Sequence, residues 1–252
     1  MVTTSLDGLT AVVTGASRGL GREMALSLAA AGAHVIGTGR DLDALASVDA
    51  AVTELAGAGS FTRLPLDVTD SASVQAAAES VFAERPVDIL VNNAGVATVG
   101  SIGETSDEDW TRVLTTNLTG TFLVCRSFGT RMLARGSGCV LNIASDIGIR
   151  GEPGWGAYAA SKGGVIALSK TLAWEWAPTL RVNVLAPGAF PTDINRDLLS
   201  DPAVVDGLSA VTPLRRLGIP AEIGPITAFL VSPANEFMTG TVVPFDGGIR
   251  RS

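Results

Sequence analysis

The chain has 252 residues, a formal net charge of −7 and 17% charged residues with no block of one sign. That balance argues against nucleic acid or an anionic membrane surface as the main partner. The length suits one α/β domain, 1–252, able to bury roughly 70–75% of its unfolded surface. In chain order, the strand candidates are Ala11–Thr14, His34–Thr38, Phe61–Leu66, Ile89–Asn92, Cys139–Ala144, Val182–Ala186 and Thr241–Phe245. Several are unbroken apolar runs, as expected of strands covered on both faces. Helical patterns fall between them, at Leu20–Ala31, Leu42–Ala56, Ser71–Ala83, Asp107–Arg135, Tyr158–Ala177 and Ala221–Val231. This alternation predicts an α/β fold with a doubly wound parallel sheet of about seven strands and helices on both faces. The proline-rich stretch after Pro187 lacks a clear period, so it reads as a substrate flap over about 188–220.

The first apolar run leads into Gly15-Ala16-Ser17-Arg18-Gly19-Leu20-Gly21 and then a helix. Glycines there permit a tight turn and close approach of backbone to a pyrophosphate, which the helix N-terminus attracts. At the end of the second strand an acidic residue would hold a ribose 2′-hydroxyl, whereas an arginine suits a 2′-phosphate. That strand closes on Arg40, with Arg18 in the glycine loop as a second cation. Asp41 opens the next helix and reads as its N-cap. The two arginines favour NADP(H) over NAD(H), and Asp41 turned inward is the arrangement that would give NAD.

Tyr158 is the only tyrosine, and Lys162 is one of two lysines beside sixteen arginines. Residues at i and i+4 share a helix face. A phenol titrates near 10, so use near neutrality needs roughly 4 kcal/mol of preference for the phenolate. A close ammonium acts in that direction.

Together with the glycine loop, Asp67-Val68, Asn92-Asn93-Ala94-Gly95, Asn117, Ser145, Tyr158-x-x-x-Lys162, Pro187-Gly188 and Asp246-Gly247-Gly248 make the chain resemble the short-chain dehydrogenase/reductase family over essentially its whole length. The resemblance implies a Rossmann-like fold and a hydride transfer between NADP(H) and a ketone or secondary alcohol. It implies that Asp67 and Val68 flank the adenine and that Asn93, Ala94 and Gly95 line the cofactor cleft. Pro187, Gly188, Phe190 and Thr192 would lie along the nicotinamide. Tyr158 would be the acid/base and Ser145 its partner. Lys162 would hold the ribose and make the phenol more acidic, and Asn117 would anchor a water in a proton relay. A homotetramer is implied as well.

The expected substrate pocket lies between the Ser145–Tyr158 loop and the flap. Its walls are Val96, Ile147, Trp155, Phe190, Ile194 and Leu198, with Asn195, Arg196 and Asp197 as polar neighbours. A carbonyl reductase is the broadest reading. Pro187–Leu199 and its continuation through Gly248 resemble gluconate 5-dehydrogenases, which makes a sugar-acid or polyol dehydrogenase the next. A 3-oxoacyl-carrier-protein reductase ranks lower, because this chain is itself acidic and carries Pro178 and Thr179 where those enzymes tend to place a docking cation. An NADPH-binding sensor would be favoured by loss of the tyrosine or lysine, and both are present. One histidine, His34, and two scattered cysteines make a metal site improbable. Cys125 and Cys139 read as buried thiols of a reducing compartment. With no basic-then-apolar leader at the start, the expected location is the cytoplasm.

Overall fold

The computed structural model describes residues 4–55 and 59–249. Seven strands form one sheet in the order β3-β2-β1-β4-β5-β6-β7, every pairing parallel. They are β1 (Thr10–Thr14), β2 (His34–Gly39), β3 (Ser60–Pro65), β4 (Ile89–Asn92), β5 (Gly138–Ile143), β6 (Leu180–Pro187) and β7 (Val242–Phe245). Side chains alternate across the pleat. Ala11 and Val13 of β1 accordingly pack with Met24, Leu28, Leu45 and Ile223 on one face. Val12 packs with Val74, Val81, Phe128 and Trp176 on the other.

The first face is covered by α1 (Gly19–Ala30) and α2 (Leu42–Glu54), the second by α3 (Ser71–Glu84) and the long helical stretch that follows β4. Asp41 caps α2 by accepting from Ala44 N at 2.9 Å, as the sequence predicts. The predicted end of this helix, Ala56, lies outside the described residues. His34 opens β2 and bonds Ser60 and Thr62 of β3, a structural position. Both cysteines are buried and unpaired.

The sequence predicts one helix over Asp107–Arg135. The structure divides it into α4 (Asp107–Leu114), α5 (Gly120–Val124) and α6 (Thr130–Arg135), joined by π-helical turns at Thr115–Thr119 and Cys125–Gly129. Such turns widen the backbone locally and re-aim a side chain. Asn117 sits in the first of them and is fully buried. After β5 come the single turn α7 (Ile147–Arg150) and α8 (Gly156–Trp176). An added Cβ at Gly164 of α8 would lie 2.7 Å from Leu118, so the small residue is used for packing within the chain.

The flap is less irregular than the sequence suggests. Asp201 accepts from Ala203 N at 2.9 Å and Pro202 takes the first helical position of α9 (Pro202–Val211). Asp-Pro is a start signal for a helix. No polar face sets off its apolar residues, so the segment shows no helical period in the sequence. Helix α10 (Ile223–Val231) then packs on the first face before β7 closes the sheet.

Candidate active site

Strand order reverses direction between β1 and β4, so the loops leaving their carboxyl ends part and open a crevice. A cleft of about 1090 Å³ occupies that position. The glycine loop forms one wall. Gly15 and Gly19 have φ of +64° and +55°, a region that glycine enters without strain. An added Cβ at Gly21 would stand 2.1 Å from Gly15 O, so β1, the loop and α1 meet with no room for a side chain. No side chain caps the N-terminus of α1. Its first N–H groups are thus left for an anion on the cleft side, which fits a dinucleotide pyrophosphate.

Arg40 stands exposed where β2 meets this cleft. Asp67 is held below the usual carboxylate range, first by the Thr69 hydroxyl and N–H, then by the charge of Arg40. Asp41, occupied as a cap, does not displace Arg40 as the charge closing β2. The donor set therefore fits a 2′-phosphate. Arg18 lies 3.4 Å from Asp193 of the flap, so the second predicted cation already has a carboxylate neighbour.

Ser145 leaves the end of β5, and Tyr158 and Lys162 stand one turn apart near the start of α8. Lys162, only 4% exposed, donates from Nζ to Ile143 O at 2.8 Å. Its Nζ lies 5.8 Å from the centre of the Tyr158 ring. Trp155 meets that ring edge-on at 5.6 Å. Burial pushes the Tyr158 phenol up to about 12; a hydrogen bond with Ser145 opposes this, and the negative charge of Asp146 adds to it. Burial also pushes Lys162 down to about 8. Burial thus acts on the phenol in the direction opposite to the effect expected of Lys162.

Every residue named from the sequence for cofactor binding lines the cleft, as do Ser145, Tyr158 and Lys162. Asn117 does not. Its side chain accepts from Val96 N at 2.8 Å and donates to Val96 O at 2.9 Å and to Ser161 Oγ at 3.0 Å. That amide holds the loop after β4 against α8. The six predicted apolar wall residues line the cleft. Of the three polar neighbours only Asn195 does, and its amide bonds Thr192 N and Phe190 O within the flap. Arg196 is turned onto Asp193. Sequence reasoning missed Asp146, Arg150 and Glu152, which line the cleft beside Ser145. The i,i+4 spacing of Asp146 and Arg150 was the available signal.

A short-chain dehydrogenase family model, described as enoyl-(acyl carrier protein) reductase, matches residues 15–250. The chain is a short-chain dehydrogenase/reductase. It is 42% identical over 246 residues to galactitol 2-dehydrogenase (L-tagatose-forming) of Cereibacter sphaeroides, covering 96% of this chain and 95% of that one. It is 39% identical over 247 residues to the 3-oxoacyl-(acyl-carrier-protein) reductase of Escherichia coli strain K12, covering 97% and 98%. A crystal structure of a gluconate 5-dehydrogenase from Burkholderia cenocepacia in complex with NADP and tartrate superimposes with a TM-score of 0.92 at 35% identity, covering 98% of this chain and 96% of that one. The family makes this chain an oxidoreductase acting on alcohol and ketone groups. Among the described residues no helix is long and apolar enough to cross a membrane, and no cluster of three or more potential ligands could hold a metal ion.

The buried ammonium has a consequence for stability. The folded pKa of Lys162 lies below its unfolded value, so burial opposes folding below pH 8, and the penalty is relieved as pH rises from about 8 to about 10.5. Lys162→Met should therefore stabilise the ligand-free protein at pH 7 by about 1–3 kcal/mol, allowing for the lost bond to Ile143. The gain should shrink toward pH 10. Urea unfolding at both pH values measures it, and a variant less stable than wild type at pH 7 contradicts the electrostatic reading.

Proposed function

We propose that this enzyme is an NADP(H)-dependent oxidoreductase that interconverts a secondary alcohol and a ketone on a small polyhydroxylated carbon chain. The observation that carries this is the convergence of Ser145, Tyr158 and Lys162 on one cleft with the uncapped helix N-terminus and Arg40. Two of the relatives above are named for galactitol and gluconate, both hydroxylated six-carbon chains, which supports that substrate class.

The glycine loop and the first N–H groups of α1 bind the pyrophosphate, and Arg40 binds the 2′-phosphate. Lys162 has three ammonium donors; one is used by Ile143 O, and the others are available for ribose hydroxyls. NADP held there would supply the acceptor or donor of hydride. In ketone reduction Tyr158 gives its proton to the oxygen as the carbonyl carbon receives hydride. Ser145 steadies the charge on that oxygen. In alcohol oxidation the hydroxyl proton returns to the Tyr158 phenolate while the carbinol C–H electron pair leaves as hydride. With the phenol near 12, the protein alone is set for proton donation at neutral pH.

We further place the enzyme in the cytoplasm and as a homo-oligomer, a tetramer by the family resemblance. The buried thiols Cys125 and Cys139 suit a reducing compartment. Phe229 of α10, Phe237 before β7 and Trp174 of α8 stand exposed, as apolar surface awaiting a second copy would.

Three measurements test these statements. Tyr158→Phe should lower kcat by about 10²–10⁴ while NADPH still binds; an undiminished kcat removes the phenol from the chemistry. Arg40→Asp should lower kcat/KM for NADPH by at least about tenfold and leave NADH less affected; equal losses would dissociate Arg40 from the 2′-phosphate. Light scattering should give a multiple of the 25.7 kDa chain mass, and a monomer would exclude the assembly.

A further inference from the structure

We infer that Asp146, Arg150 and Glu152 form a substrate-selecting wall that accepts uncharged polyols and their ketoses and turns away the matching carboxylate-ended chains. This rests on the hydride-transfer reading above and names the substrate class of the same cleft.

All three residues line the cleft that holds Tyr158. Asp146 follows Ser145 directly, and its side chain is only 4% exposed. Both of its oxygens are used: Ser145 Oγ donates to Oδ1 at 3.1 Å and Arg150 Nε donates to Oδ2 at 3.0 Å. The Arg150 guanidinium is thereby fixed. Its Nη1 is in turn bonded to the Glu152 carboxylate and to Gly151 O. Asp146 is a positioning residue here, acting through Ser145 and Arg150.

An unpaired arginine in a cleft is a ready clamp for a carboxylate, which it grips with two parallel N–H groups. Arg150 offers no such clamp, since Nε and Nη1 already face the protein's own carboxylates. Two carboxylates against one guanidinium leave one net negative charge on this wall. Within the cleft the flap does not reverse it, because Arg18 lies 3.4 Å from Asp193 and Arg196 is not part of the cleft wall. An aldonate end-group would meet like charge in a partly dry site, which disfavours it strongly. A hydroxymethyl end-group suits the same wall. It donates to the Glu152 carboxylate and accepts from Nη2 of Arg150, so no buried polar group loses its partner. The carbon chain then lies along Trp155 and Ile147, which supply the apolar side of the wall. Arg40 stands at the end of β2, on the side of the cleft where the cofactor phosphates belong.

The test compares galactitol with galactonate, which differ only in one end-group, under saturating NADP. The wild-type enzyme should favour galactitol in kcat/KM by at least about tenfold. Glu152→Gln, at a side chain 36% exposed, should narrow that ratio by about tenfold, with the change in the KM for galactonate rather than in kcat. Asp146→Asn, which loosens Arg150, should narrow it in the same direction. A wild-type enzyme that uses galactonate as well as galactitol overturns the inference, as does a ratio that Glu152→Gln leaves unchanged. If neither compound turns over but NADPH reduces hydroxyacetone, the wall is misread and the hydride chemistry stands. If no alcohol or carbonyl turns over while NADPH binds, both readings fall together.

Discussion

One bond sets the working geometry of this molecule: Lys162 Nζ to Ile143 O, 2.8 Å, at the carboxyl end of β5. It ties the first turns of α8 to the edge of the crevice, and Tyr158 sits one turn earlier on the same face. Other buried polar contacts keep α8 from sliding. Ser161 accepts from Asn117, and Ser169, two turns further on, accepts from Asn142 of β5. Asn142 in turn accepts from Asn92 of β4. The chain of amides runs from the middle of the sheet through the helix that carries the chemistry. Polar groups in a core are costly unless satisfied, and a satisfied network fixes one arrangement in preference to others.

Burying an ammonium for this purpose has an electrostatic side effect. Lys162 and Tyr158 are displaced in opposite directions by the same desolvation, to about 8 and about 12. Burial disfavours the charged form of each group. Asp146 reinforces this by raising the phenol further, from a position forced on it by its bonds to Ser145 and Arg150. The cleft is polarised along its length, with Arg40 exposed at the end of β2 and a net acidic cluster beside Ser145.

The sheet was legible because its strands are short apolar runs whose periods do not compete with the helices between them. The seven strands predicted match those observed to within about two residues, the usual play at element ends. The glycine loop was legible because its geometry leaves no alternative residue at Gly21. Three features were not legible, for different reasons. The π turn at Thr115–Thr119 is a tertiary accommodation, made so that Asn117 can reach Val96 and Ser161. Helix α9 carries too little polar contrast for its period to stand out, although Asp201 and Pro202 mark its start. The sign of the pKa shift at Tyr158 depends on burial, which spacing alone does not report.

The flap shows how the two halves of the site are mechanically joined. Phe190 stacks on Phe245 of β7 at 5.9 Å, and Gly218 packs so tightly on the Phe190 ring that an added Cβ would lie 2.2 Å away. The base of the flap is thus fixed to the sheet. Beyond it, Asn195 folds back on Thr192 and Phe190, which makes residues 190–195 a self-supporting turn. Asp193 projects from that turn toward Arg18 of the glycine loop. An exposed ion pair at 3.4 Å contributes little to stability. Its significance is its place, because it spans the mouth of the cleft from the phosphate-binding loop to the substrate side. A phosphate drawn to Arg18 would compete with Asp193 for the same guanidinium. The anchored Phe190 keeps the rest of the wall in place.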